Sequence, residues 1–271
     1  MDINHAEGRI VRERKTSVLR KGLLFMWLGF ATPMAVLSFT VMQIMPLSIR
    51  RRRAHAMARF WAWGMIYTTG TRCRVEGLEH ITHSGPFVVM SNHRSHMDVP
   101  VAIYHLPFLF GFIVKRELMR VPVFRGAMQT IGCVAVSRGQ SRGDHSVLDA
   151  VALDVASGKN ILIFPEGTRS PNDDFLPFKK GGIVTAIKAG VPILPVGISG
   201  TNKIIPARVH TVSSGPVLMK VGEPIPTEGL TLEDRDELLA RVQSAIVELY
   251  IPNYSTTALD ERDHSESINI S

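Results

Sequence analysis

Ser91-Asn92-His93-Arg94-Ser95-His96-Met97-Asp98 follows directly on the apolar run Phe87-Val88-Val89-Met90. The run has the length and character of a buried strand, and the polar residues after it have those of a turn. His93 and Asp98 are five residues apart. At about 100° per residue, a helix carrying both would turn them roughly 140° away from each other. They can meet only if His93 lies in the turn and Asp98 in or near the first turn of a following helix. That strand-loop-helix corner suits a histidine base held by a carboxylate.

Outward from this corner, short apolar runs alternate with helical stretches. Candidate strands are Phe87–Met90, Phe112–Val114, Cys133–Val136, Ile161–Phe164, Ile193–Val196 and Val217–Val221. Candidate helices cover 98–104, 146–156 and 182–189, and Gly190 is placed to cap the last of these. The expected fold class is α/β: a single mixed sheet flanked by helices. A final helix is expected where Leu238, Leu239, Val242, Ile246 and Leu249 form one stripe behind a Thr231/Asp234 capping pair. The polar stretch after Pro252 has the composition of a disordered tail.

Charge is unevenly spread. Residues 1–53 hold ten Lys or Arg against three acidic residues, a surplus equal to the whole chain's net +7. The rest is therefore neutral, which argues against a nucleic-acid partner. Between the basic clusters, Gly22 to Pro46 is 25 residues without a charge. Straight, that run would reach about 37 Å, enough to cross a hydrocarbon core of roughly 30 Å. Pro33 sits near its middle and is expected to break it, leaving halves of 11 and 13 residues. A membrane-embedded helical hairpin or broken helix entering from one side, with both basic flanks at the headgroups, fits this pattern; a kinked single span is the alternative. The segment 55–67 has the spacing of an interfacial or core-packed helix. The expected organisation is an anchor over 1–53, an α/β domain over 54–253 and a tail over 254–271.

Two cysteines, Cys73 and Cys133, show no disulfide or metal spacing and read as small core residues. Another apolar strand end opens into Phe164-Pro165-Glu166-Gly167-Thr168-Arg169-Ser170. Here a proline ends the strand, a glycine permits a sharp turn, and backbone N–H groups with an arginine can cradle a phosphate. Ligands bind at the carboxyl ends of strands in open α/β sheets, and this chain has two such ends bearing reactive or phosphate-suited residues.

Four blocks now stand in order: Asn92-His93 with Asp98; Lys115-Arg116-Glu117-Leu118 with Pro122, Phe124 and Gly126; Phe164–Ser170; and Val191-Pro192-Ile193-Leu194-Pro195-Val196. Together they resemble the glycerophospholipid acyltransferase family, most nearly the branch that acylates 1-acyl-glycerol 3-phosphate to phosphatidate. The resemblance covers about residues 75–225. It implies an enzyme without a cofactor that moves a fatty acyl group from acyl-CoA or acyl-carrier protein to the free hydroxyl of lysophosphatidate at a membrane, with the catalytic domain on the cytoplasmic face, as at a bacterial inner membrane. His93 would be the base and Asp98 its orienter, with no acyl-enzyme. Glu166, Gly167, Thr168 and Arg169 would bind the glycerol phosphate, helped by Arg138 and Lys115. Val191–Val196 would be a core strand and a wall of the acyl pocket. One departure is Ser137 before Arg138, where many relatives carry an acidic residue.

Other readings weigh less. His93, His96 and Asp98 form a partial metal-ligand pattern without a second cluster, and His96 reads as a turn residue. A noncatalytic membrane-binding module leaves the two polar strand ends unexplained. Other lysolipids, a lyso-ornithine lipid or glycerol 3-phosphate, would use the same His and Asp.

Overall fold

The computed structural model describes residues 18–83, 85–120, 122–136, 145–171, 173–207 and 211–255. Arg9 to Lys15, Ser137, Arg138 and the tail beyond Ser255 lie outside the described residues.

The chain begins with a helical hairpin. Helix α1 (Val18–Val41) runs unbroken through Pro33, a short 3₁₀ turn follows over Met42–Ile44, and α2 (Leu47–Thr69) starts after Pro46. The expected break at Pro33 is thus corrected: the chain turns at Pro46, where proline's fixed φ suits a helix start. Contact with α2 compensates α1 for the hydrogen bond that Pro33 removes. Buried Ala31 and Ala35 let the helices approach, the Trp27 indole donates to the Trp61 carbonyl at 3.1 Å, and the Trp61 indole donates to Thr32 Oγ1 at 3.1 Å. A Cβ on Gly64 would fall inside the Trp27 ring. Arg20 donates to the Thr69 carbonyl at 2.9 Å, placing a cation at the C-terminal end of α2, which Gly70 closes in the left-handed region.

This geometry also corrects the placement of charge. Arg20 and Lys21 lie near one end of α1, which is about 36 Å long, and Arg50 to Arg53 follow its other end. The two basic clusters therefore sit at opposite ends of the hairpin. Within α1, Val18–Phe39 is long and apolar enough to cross a membrane by length and composition. The expected boundary at 53/54 falls inside α2.

After β1 (Arg72–Glu76) the α/β layers follow: β2 (Val88–Ser91), α3 (Asp98–His105), β3 (Phe110–Gly111), β4 (Ile113–Lys115), α4 (Pro122–Ile131), β5 (Val134–Val136), α5 (His145–Ala156), β6 (Asn160–Ile163), α6 (Gly181–Ala189), β7 (Ile193–Ser199), β8 (Pro216–Val221) and α7 (Arg235–Leu249). Six strands form a mixed sheet in the order β1-β8-β7-β2-β6-β3, parallel throughout except at β7/β8. Strands β4 and β5 pair separately, in parallel. The central strands are apolar on both faces because helices cover both. Phe87 and Val89 join the core beneath α2 and α3, whereas Val88 and Met90 join the core beneath α5, α6 and α7, the two-residue alternation of a strand.

Thr231 and Asp234 pair at 3.0 Å in a turn just ahead of α7, while Leu238, Val242 and Ile246 are buried as the stripe requires. Strands β1 and β3 and helix α4 escape the sequence reading. The first is a charged edge strand, RCRVE, and the second has two residues.

At the α2/α3 contact, burial and the Arg59 guanidinium push the His105 imidazole below its ordinary value of 6.5, and its Nε2 is buried without a hydrogen-bond partner among the described residues. The folded state resists protonation there while the unfolded chain accepts it, so this stability is present above 6.5 and declines as pH falls below it. His105→Gln should flatten that decline, read as the difference in denaturation midpoint between wild type and variant across acidic pH.

Candidate active site

Parallel pairing of β2 with β6, Val88 opposite Ile161 through Met90 opposite Ile163, sets the two polar turns side by side at the carboxyl ends of their strands. Asn92 ends β2. Its side chain accepts from the Ile198 N–H and donates to the Ile198 carbonyl, both at 2.8 Å, replacing a strand residue against β7. The chain then turns sharply, and Asp98 is the first residue of α3.

There His93 Nδ1–H donates to Asp98 Oδ2 at 2.8 Å. The carboxylate is wholly buried. Oδ2 also accepts the N–H groups of Arg94 (2.7 Å) and Ser95 (2.8 Å), and Oδ1 accepts the Thr201 hydroxyl at 2.5 Å. Such a carboxylate holds the imidazole in one orientation and one tautomer, with Nε2 as the lone-pair nitrogen. The ring stacks on Phe164 at 3.9 Å with 11° between planes, and the side chain keeps 18% of its surface exposed.

Glu166 occupies a different place from the one expected of a phosphate ligand. It is buried and does not line the cleft. Its oxygens accept from Arg94 Nη1 (2.9 and 2.7 Å), the His93 N–H (3.0 Å) and the Leu176 N–H (2.9 Å). Those four contacts use the carboxylate's acceptor positions. Arg94, as deeply buried, lies 4.6 Å from the Phe175 ring centroid and 5.3 Å from that of Tyr250. The Tyr250 hydroxyl donates to Asp173 at 2.5 Å, and burial, reinforced by that carboxylate, raises its phenol above the usual range.

Gly167, Thr168 and Arg169 do reach a cleft of about 600 Å³, together with His93. Gly167 needs to be glycine because its φ is +74°; the Lys179 ammonium lies against it, 2.7 Å from where a Cβ would stand. Lys179 also lines the cleft, as do Gly181 and Gly182 at the start of α6. Sequence reasoning missed Lys179; the Lys-Lys-Gly-Gly run before a helix was the available signal. It missed Arg94 too. Arg169 meets His96 through Nη1 and Nε2, so His96 contacts a side chain of the second turn. Lys115 ends β4, whose Ile113 lines the cleft. Val191–Val196 supplies core, with Ile193 and Leu194 buried, and the apolar wall comes instead from Phe112, Ile113, Leu148, Leu162, Ile163 and Phe164.

Among the described residues no three His, Cys, Asp or Glu side chains come together as metal ligands. Burial pushes the Cys73 thiol up to about 12 and the Cys133 thiol up to about 11, so both stay protonated and poor as nucleophiles.

Residues 72–199 match the profile of the family described as Acyltransferase. The chain is 32% identical over 218 residues to 1-acyl-sn-glycerol-3-phosphate acyltransferase alpha of Homo sapiens, covering 79% of this chain and 77% of that protein. It is 35% identical over 169 residues to the human beta enzyme, covering 62% and 61%. The crystal structure of the 1-acyl-sn-glycerophosphate acyltransferase PlsC from Thermotoga maritima superposes with a TM-score of 0.70 at 27% identity, over 84% of this chain and 95% of that one.

Removing one partner of a buried ion pair leaves the other charge uncompensated. Glu166→Gln should lower unfolding free energy by about 3 kcal/mol or more, measured by denaturant titration, with activity falling further than folding accounts for at temperatures where the variant stays folded.

Proposed function

Because the chain belongs to the acyltransferase family, we propose that it transfers a fatty acyl group from acyl-CoA or acyl-carrier protein to the free sn-2 hydroxyl of 1-acyl-glycerol 3-phosphate, forming phosphatidate. The observation that carries the reading is the 2.8 Å contact of His93 Nδ1 with buried Asp98, in a cleft with cations on one side and apolar side chains on the other.

The chemistry follows from that placement. Nε2 of His93 takes the hydroxyl proton as the oxygen attacks the thioester carbonyl, and Asp98 stabilises the imidazolium that forms. When the tetrahedral intermediate collapses, the carbon–sulfur bond breaks and the leaving thiolate takes the proton back. Oxygen attack on the donor is direct, so no acyl-enzyme forms. Arg169, Lys179 and the Gly167–Thr168 backbone hold the phosphate, while the apolar wall takes hydrocarbon. Glu166 acts through position alone, bonding the His93 N–H and neutralising Arg94. The reading gives Arg138 and Lys115 supporting roles toward the phosphate.

The same proposal attaches the protein to a membrane on its cytoplasmic face, since lysophosphatidate and phosphatidate both live in the bilayer. Phe25, Met26 and Phe30 on α1 and Phe60, Trp63 and Tyr67 on α2 are exposed apolar side chains. A hairpin lying along the interface lets these enter the acyl region while the basic clusters at both its ends reach anionic headgroups. Entry tip first would bury Arg50–Arg53.

In purified protein reconstituted with lipid, lysophosphatidate should be acylated faster than lysolipids whose phosphate carries a further substituent, with palmitoyl-CoA and palmitoyl-carrier protein compared as donors. His93→Ala and Asp98→Asn should each lower kcat by about 10²–10⁴-fold; retention of the wild-type rate by His93→Ala would refute the mechanism.

Arg169→Ala and Lys179→Ala should each raise KM for lysophosphatidate roughly tenfold, the scale of one charge-assisted contact. KM for the acyl donor should stay near the wild-type value in the same steady-state assays.

A further inference from the structure

We propose that a second, strongly basic cavity, bordered by β5, binds the nucleotide phosphates of a coenzyme A thioester. The inference rests on the acyl-transfer reading above and gives the donor a place to hold its charged end. The cavity has a volume of about 720 Å³. Arg50 comes to it from α2, Arg120 from the turn after β4, Arg125 from α4 and Lys159 from the approach to β6. Asp154 is the acidic residue among those lining it, and it pairs with Lys159 at 2.5 Å. Three arginines thus converge from three elements on a space whose lining carboxylate is already engaged. Arg120 and Arg125 bring positive charge to one space, which favours a polyanion there. Guanidinium forks suit phosphate geometry.

Position identifies which phosphate. In lysophosphatidate the phosphate is separated from the reacting hydroxyl by a glycerol carbon or two, so it must lie near His93, where Arg169 and Lys179 line the cleft. A coenzyme A thioester carries its phosphates at the far end of a long pantetheine arm. The cavity is one strand away from the cleft: Ile113 lines the cleft, its partner Val134 lines the cavity, and Val134 N–H donates to the Phe112 carbonyl at 2.9 Å. Helix α5 borders both spaces, through Leu148 and Asp154. A thioester at His93 can therefore lay its arm along the β4/β5 pair and place its phosphates among the arginines.

The test compares two donors with the same reacting bond, palmitoyl-CoA and palmitoyl-pantetheine, the latter without phosphates. Full-length wild type, Arg120→Glu, Arg125→Glu and the milder Arg125→Gln are assayed with lysophosphatidate, and their binding to anionic vesicles is measured alongside. Wild type should prefer palmitoyl-CoA in kcat/KM. Each charge reversal should cut that preference roughly tenfold or more while leaving the palmitoyl-pantetheine rate unchanged, and Arg125→Gln should cut it less. An unchanged preference overturns the proposal, as does an equal fall with both donors. Lost vesicle binding with the preference intact also overturns it, by assigning the cavity to a lipid headgroup. Transfer by wild type from acyl-carrier protein alone overturns it and spares the acyl-transfer reading. Absence of transfer from every donor defeats that reading itself.

Discussion

The Arg94–Glu166 ion pair is the constraint on which the site depends. It joins two turns 72 residues apart in sequence, each at the carboxyl end of a central strand, and both side chains are almost wholly removed from water. Burying two charges costs several kcal/mol per ion unless the remaining donors and acceptors are met. Here Glu166 meets its own with two backbone N–H groups, one belonging to His93, while the Arg94 guanidinium lies against two aromatic rings and its buried Nε has no hydrogen-bond partner among the described residues. The backbone N–H of Arg94 is in turn a donor to Asp98. The histidine is thus held at three points: backbone to Glu166, ring to Asp98, and ring face to Phe164. An apolar pair of similar volume could be as stable, but it could not accept the His93 N–H. Position, more than stability, is what the pair contributes.

Glu166 and Lys179 have roles that sort by burial. A carboxylate lining the cleft would repel a phosphate, and Glu166 avoids this by lying beneath the turn that it shapes. Above it, Gly167 takes the positive φ that the turn needs, with the Lys179 ammonium lying against its bare backbone. Four consecutive residues of the turn, 166–169, therefore divide between holding the turn in place and presenting it to the cleft. The cleft's other wall is hydrocarbon, drawn from β4, α5 and β6. A ligand with a charged phosphate and a greasy chain matches both walls, and the histidine lies where they meet.

The parts legible in the sequence depend on near neighbours. The five-residue spacing of His93 and Asp98 bears on a strand-to-helix corner because both residues belong to it, and buried strands announce themselves as apolar runs. The inward direction of Glu166 is not legible because its partner is Arg94, and nothing local says that a carboxylate in a glycine turn faces inward. Lys179 was missed for the same reason, since its place over Gly167 depends on where α6 packs. Pro33 would break an isolated helix, whereas the helix packed in this hairpin runs through it. Trp27 and Thr32, both just ahead of it on α1, bond to Trp61 across the hairpin. Charged β1, an edge strand, and two-residue β3 carry too little apolar signal to be seen at all.

The hairpin's docking bears on how the cleft meets a lipid surface. Ala35, Phe39, Met42 and Ala54 pack with Leu109, Met128 and Ile131, and Leu24, Met65 and Ile66 belong to the same core as the strand that leads to His93. A flexible tether would let the domain sample many orientations above a membrane and make each encounter with a bilayer substrate a search. This hairpin shares a core with the sheet, so an interface that binds the exposed face of α1 also sets the direction in which the cleft opens. Arg50 belongs to α2 and lines the second cavity, so the element proposed to lie on the lipid surface also borders the space proposed for the soluble donor. On that reading one hairpin relates the membrane, the donor's charged end and the histidine as parts of a single packed body, which a two-substrate reaction between a bilayer and solution requires.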